Sequence, residues 1–214
     1  MSQSADTRHR REKERGGHDF DVACSIIDDA RVCHVGFSHE GHVYVIPMAC
    51  ARSGTDLLLH GSVASRLMND LSGGMDCCVT ITHLDGLVLA RSAFHSSMNY
   101  RSVMVFGKAR PVEEPALKSA GLDRLVEQLL PGRLAELRES TRKELNATHL
   151  LALPIEQFST KIRTGPPSDP STDLDLPLWA GVVPLKTVTG EPQAAPDMQF
   201  DIPPPGYLKG YDHD

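Results

Sequence analysis

Apolar and polar positions alternate with different periods along this chain, and each change of period marks an element. Over residues 20–30 the apolar side chains recur at helical spacing, which predicts a short helix. The period then falls to two. Residues 31–37, 43–51 and 56–60 read as three strands, joined by a polar turn with a glycine at 38–42 and by a second turn at 52–55. Such hairpin spacing describes a meander rather than a repeated strand–helix–strand unit. A helix over 63–71 interrupts it, with Ser62 as the predicted cap and Ser72-Gly73-Gly74 as its end. Strand character resumes over 75–83; Leu84-Asp85-Gly86 reads as a tight turn, and 87–93 as the next strand. A long strand is predicted over 100–112, then a helix from Glu113 to about residue 130, then a charged helical stretch over 133–145. Residues 148–155 read as a last strand, and 158–163 close the domain. Six or more short antiparallel strands with few helices predict a closed or split barrel, mainly β with peripheral helices, an α+β fold.

The flanks differ from this pattern. Residues 1–17 have no periodicity and predict a disordered, solvated tail that includes the mixed basic tract 8–15. Gly165-Pro166-Pro167-Ser168-Asp169-Pro170 reads as a linker. Beyond it, residues 176–185 are apolar and carry Trp179, the chain's one tryptophan. An apolar segment past a linker must bury itself on its own barrel or on a partner subunit. The expected organisation is a tail over 1–17, a barrel over 18–164 and a packing extension over 165–214.

Composition narrows the partners. A formal charge of −6 argues against nucleic acid or an anionic membrane as the main partner. Cys24, Cys33, Cys50, Cys77 and Cys78 lie in apolar surroundings without a C-x-x-C pair, as expected of reduced core thiols in a cytosolic protein. The N-terminus is polar and charged, and no apolar run approaches the roughly 18 residues of a membrane span. A soluble, cytoplasmic protein is expected.

Two segments carry the candidate chemistry. In the first, the apolar run Leu57-Leu58-Leu59 ends in His60-Gly61-Ser62 and leads into a helical pattern with Ser65 and Arg66. A cation in the first turn of a helix is unfavourable unless an anion is also there, so Arg66 points to phosphate. Ser62 and Ser65 can cap the helix, bind phosphate, or do both. His60 is a core histidine or a cofactor contact. In the second segment, Tyr100-Arg101-Ser102 opens the long strand with further phosphate partners, although Arg101 can equally face solvent. Set on neighbouring strands, the two would cradle a phosphorylated cofactor between β-strands. No glycine-rich phosphate loop occurs at either place, the histidines show no metal-ligand spacing, and no G-x-S-x-G nucleophile elbow exists. No metal is assigned, and no residue stands out as a catalytic acid or base.

Leu59-His60-Gly61-Ser62 with Ser65-Arg66, then the strand from Tyr100 to Gly107, then Trp179-Ala180-Gly181-Val182-Val183-Pro184 follow one another in an order that resembles the FMN-binding split-barrel family. That family includes pyridoxamine 5′-phosphate oxidases and nitroimidazole-resistance reductases, and the resemblance is to the oxidase-related branch. It implies a Greek-key split barrel that forms a homodimer, with FMN in grooves at the subunit interface and a small-molecule substrate. It also implies that Tyr44, Val45, Ile46, Pro47, Met48 and Ala49 run beside the isoalloxazine ring, and that Leu59 and His60 lie near the ribityl chain. Ser65 and Arg66 would bind phosphate, and Trp179 would be brought to the flavin. The arginine-and-histidine motif with which the oxidase holds its substrate's phosphate is absent; after Trp179 the only lysines or arginines are Lys186 and Lys209. The resemblance therefore implies an FMN oxidoreductase other than the oxidase itself. The alternatives are a non-catalytic flavin or haem binder, or a deazaflavin-dependent reductase on the same fold.

Overall fold

The structure, a computed structural model, describes Thr7 and residues 15–208. Among them the chain forms strands β1 (Gly16–Gly17), β2 (Val32–His39), β3 (His42–Ser53), β4 (Asp56–Ser62), β5 (Asp76–Leu89), β6 (Ser97–Lys108), β7 (Arg110–Pro111), β8 (Thr148–Pro154), β9 (Gln157–Arg163) and β10 (Gly181–Pro184). Its helices are α1 (Phe20–Asp28), α2 (Arg66–Ser72), α3 (Pro115–Leu129) and α4 (Arg142–Asn146). The strand order is β1-β9-β6-β5-β2-β3-β4-β8-β7, with antiparallel pairing. This mainly antiparallel sheet with four helices is the expected α+β split barrel.

Two units are distinguished: the larger comprises residues up to Leu84 with Asn99–Gly165, the smaller Asp85–Met98 with residues from Pro166 on. In the larger unit the period-two pattern is realised as alternation between core and surface. Along β2, Cys33, Val35 and Phe37 are buried while Val32, His34 and Ser38 face out. They join Leu57 and Leu59 of β4, Val79 and Ile81 of β5, Val103 and Val105 of β6, and Leu151 and Leu153 of β8 in one core. Ala23, Ile26 and Ile27 of α1 and Leu67, Met68 and Leu71 of α2 complete it. The opposite faces of β4 and β8 bury Leu58, Leu150 and Ala152 under Leu125 of α3. The β2–β3 hairpin turns at Glu40 and Gly41, both with left-handed φ (49° and 79°), as a two-residue hairpin turn requires. All five cysteines are free thiols, and all but the half-buried Cys78 are buried.

Several expected boundaries move, each for a tertiary reason. Most of the predicted tail lies outside the described residues, but Gly16 and Gly17 are not disordered: they pair with Lys161 and Thr160. A side chain on Gly17 would meet the Thr160 hydroxyl at 2.9 Å, so glycine permits this approach. The Leu84-Asp85-Gly86 signal does not turn the chain; β5 runs straight through it because Gly86 is paired with Pro184 of β10. The long strand ends at Lys108, and Arg110–Pro111 pairs separately with β8. The helical stretch over 133–145 reduces to a 3₁₀ turn at Leu134–Glu136 and to α4, which begins at a capping box between Thr141 and Glu144.

In the smaller unit β10 lies along the end of β5, Val182 opposite Val88 and Gly181 opposite Leu89. Asp169, buried, accepts from both the backbone N–H and the guanidinium of Arg91, each at 2.9 Å. In the apolar run 176–185, Leu176, Leu178, Trp179, Val183 and Leu185 are exposed on the single chain, as are Phe94, Leu174 and Phe200, so of the two expected covers it is the partner subunit that stays open.

Candidate functional site

The candidate cradle is built where β3, β4 and α2 meet. β3 alternates: Tyr44, Ile46 and Met48 pack against the core, whereas Val45 and Pro47 are exposed and Ala49 is half-buried. Tyr44 stands opposite Phe37 on β2, and their rings stack at 5.4 Å with a 23° tilt. At the end of β4, Leu59 enters the core while His60 points to the other face, half-buried. Burial lowers the pKa of His60 from the ordinary imidazole value, disfavouring its charged form, and its Nδ1 is buried without a hydrogen-bond partner among the described residues. Gly61 follows, and a side chain there would meet Met68 of α2 at 2.8 Å, so the strand and the helix can approach only because this residue has none.

The chain then makes one extra turn before the helix. Ser62 Oγ accepts from the Ala64 N–H at 3.1 Å, and the Ser65 N–H donates to the Ser62 carbonyl at 2.9 Å. The cap is therefore Ser65, not Ser62: its side chain accepts from the Met68 N–H, and α2 starts at Arg66. Both serines can cap, and the Ser62 hydroxyl is already engaged with the turn. Arg66 leads the helix as expected, with its guanidinium 4.7 Å from the Tyr44 ring centroid. The helix is held from behind by contacts that local sequence did not suggest. His39 Nδ1 lies 2.7 Å from Asp70 Oδ2, a close contact not aligned as a hydrogen bond. Asn69 donates to the Val63 carbonyl at 3.2 Å and meets His149 Nε2 at 3.2 Å.

The second predicted segment is elsewhere. β6 and β4 are not neighbours, since β5, β2 and β3 lie between them, so the two segments do not form one cradle between adjacent strands. Tyr100 and Arg101 pair in register with Arg163 and Ile162 of β9, and the Ser102 hydroxyl donates to the Lys161 carbonyl at 3.2 Å. The Arg101 guanidinium is 2.6 Å from the Asp29 carboxylate, so its charge already has a partner. Trp179 belongs to the smaller unit; its ring lies against Gly181 at 3.0 Å from where a side chain would begin, and it is 68% exposed. A cavity of about 300 Å³ lined by residues such as Ser72, Lys118 and His149 includes none of the predicted site residues. Among the described residues no three His, Cys, Asp or Glu side chains gather as a metal site.

Comparison with known proteins places this geometry in a family. A family model described as pyridoxamine 5′-phosphate oxidase matches residues 19–162. A FAD and haem binding protein from Mycobacterium smegmatis is 38% identical, with 92% of this chain and 97% of that chain covered at a TM-score of 0.87. The flavocytochrome Anf3 from Azotobacter vinelandii is 36% identical, with 95% of each chain covered and a TM-score of 0.88. A protein from Bacteroides thetaiotaomicron described as a 5-nitroimidazole antibiotic resistance protein shares the fold at 24% identity and a TM-score of 0.58, over 69% of this chain and 86% of that one. No curated protein matches. The match runs from the cap of α1 to the penultimate residue of β9, and two relatives are more than a third identical along nearly the full chain: this protein belongs to the pyridoxamine 5′-phosphate oxidase family.

Proposed function

We propose that this chain is a flavin-binding oxidoreductase that holds its cofactor's phosphate at Arg66 and Ser65, with His60 close to the cofactor. The observation that carries the reading is the state of Arg66. Arg52, Arg101 and Arg110 are ion-paired with Asp28, Asp29 and Asp56. Arg66 alone of these four has no carboxylate partner among the described residues, although it stands in a first helical turn where a cation is unfavourable without an anion. The unpartnered Nδ1 of His60 adds a second group that a polar ligand would satisfy. A bound flavin supplies hydride and electron transfer, and the protein supplies binding and orientation. The sequence resemblance implied FMN; the name of the relative from M. smegmatis supports FAD ahead of it. The names of that relative and of the flavocytochrome support a second reading, in which a haem accompanies the flavin and the chain carries electrons between the two. In either case the acceptor is proposed to be a small molecule, and the working unit a homodimer.

Titration of the apoprotein with riboflavin, FMN and FAD tests the phosphate assignment. Arg66→Ala is expected to weaken FMN and FAD by about 1.5–3 kcal/mol, the worth of a charge-assisted hydrogen bond, and to leave riboflavin unchanged. Equal losses for all three ligands would sink it. The absorption spectrum of the purified protein separates flavin alone from flavin with haem.

A further inference from the structure

Arg66 and Tyr44 are 22 residues apart in the chain, on a helix and a strand, yet the guanidinium rests on the ring. The ring is itself fixed. Tyr44 is paired across the hairpin with Phe37, which is buried, and the two rings are stacked. The helix is fixed as well, through Asp70 at His39 and through Asn69 at Val63 and His149. Arg66 is exposed, and an exposed arginine on a mobile rotamer loses side-chain entropy when it binds an anion. Contact with an aromatic face at 4.7 Å from its centroid restricts that freedom and leaves the guanidinium its hydrogen-bond donors for an anion. No hydrogen bond to another described residue engages the guanidinium.

We propose that Tyr44 is a positioning residue for phosphate recognition: its ring restrains the Arg66 side chain, so that the guanidinium is presented ready-made to the phosphate of the flavin nucleotide. This rests on the phosphate reading of Arg66 and goes beyond it. The family resemblance implies that Tyr44 borders the isoalloxazine ring; the geometry points instead to a role at the phosphate end. The device favours phosphorylated flavins over riboflavin through a residue that need not touch the ligand.

The test is a titration of apoprotein variants with riboflavin, FMN and FAD, combined with a double-mutant cycle. Tyr44→Val, a residue suited to the strand, is expected to weaken FMN and FAD about three- to tenfold and leave riboflavin unchanged. Unchanged riboflavin binding also reports an intact fold. Tyr44→Phe should match the wild type, because the ring acts and the hydroxyl does not. In an Arg66→Ala background Tyr44→Val should cost nothing further. A loss for riboflavin as large as for FMN would show that Tyr44 serves the flavin ring, and would overturn the proposal. Failure of Arg66→Ala to separate FMN from riboflavin would instead overturn the underlying phosphate reading, an outcome visible in that variant alone. One measurement needs no variant at Tyr44: in the wild-type apoprotein the Arg66 side-chain protons should be shifted upfield by the aromatic ring current, and their absence from that region would also overturn it.

Discussion

His60 combines two features that seldom persist together without a purpose: a half-buried imidazole and a buried nitrogen without a partner. Burial lowers its pKa below the ordinary 6.5, so the folded chain takes up a proton there less readily than the unfolded chain. Stability from this residue is therefore present above the ordinary value and is lost as the pH falls below it. Urea unfolding of apoprotein across that range should show a shallower acid loss for His60→Gln than for the wild type. Identical slopes would mean that His60 titrates alike in both states. At this scale the presence of a helix near Arg66 was readable because helical spacing is local, whereas its cap, predicted at Ser62, is Ser65. The partner of Arg101 was not readable, since Asp29 lies 72 residues away at the end of α1. Nor was the contact between Arg66 and Tyr44, which depends on how a helix settles over a strand.

Among elements, the contact between β4 and α2 decides where the groups proposed to bind phosphate stand. Met68 is 1% exposed and touches the space where a Gly61 side chain would begin, so Gly61→Ala must displace a buried side chain or part the strand from the helix. The expected cost is about 1–3 kcal/mol in urea unfolding, partly recovered when Met68→Ala is added to make room. A neutral Gly61→Ala would show that Met68 moves freely. Element types followed from periodicity: the meander, the interrupting helix and the long strands are all present. Boundaries failed where a partner from afar overrode the local signal. Leu84-Asp85-Gly86 has turn chemistry, yet β10, almost a hundred residues later, pairs with it and draws it into a strand. The start of α2 failed for the opposite reason, because two serines three residues apart offered the same local signal.

Several large apolar side chains stay exposed on the single chain. Leu174, Leu176, Leu178 and Trp179 are each at least 45% exposed, and Val45 on β3 is 63% exposed. A second copy of the chain is the proposed cover, and light scattering at micromolar concentration should return twice the 23.4 kDa of one chain. A monomer mass would remove the dimer and leave those side chains to another partner. The sequence marked 176–185 as too apolar to stay in water, but no pattern within one chain says what covers it. No helix among the described residues is long and apolar enough to cross a membrane.

Trp179 has a further consequence, for how this protein can be watched. It is the single indole in the chain, it stands largely in solvent on Gly181, and it belongs to the smaller unit. Tryptophan emission therefore follows the surroundings of residue 179, whereas loss of the barrel strands is seen in the backbone signal. Denaturation curves from the two signals trace different parts of one chain, and only their coincidence would justify a single stability figure for both.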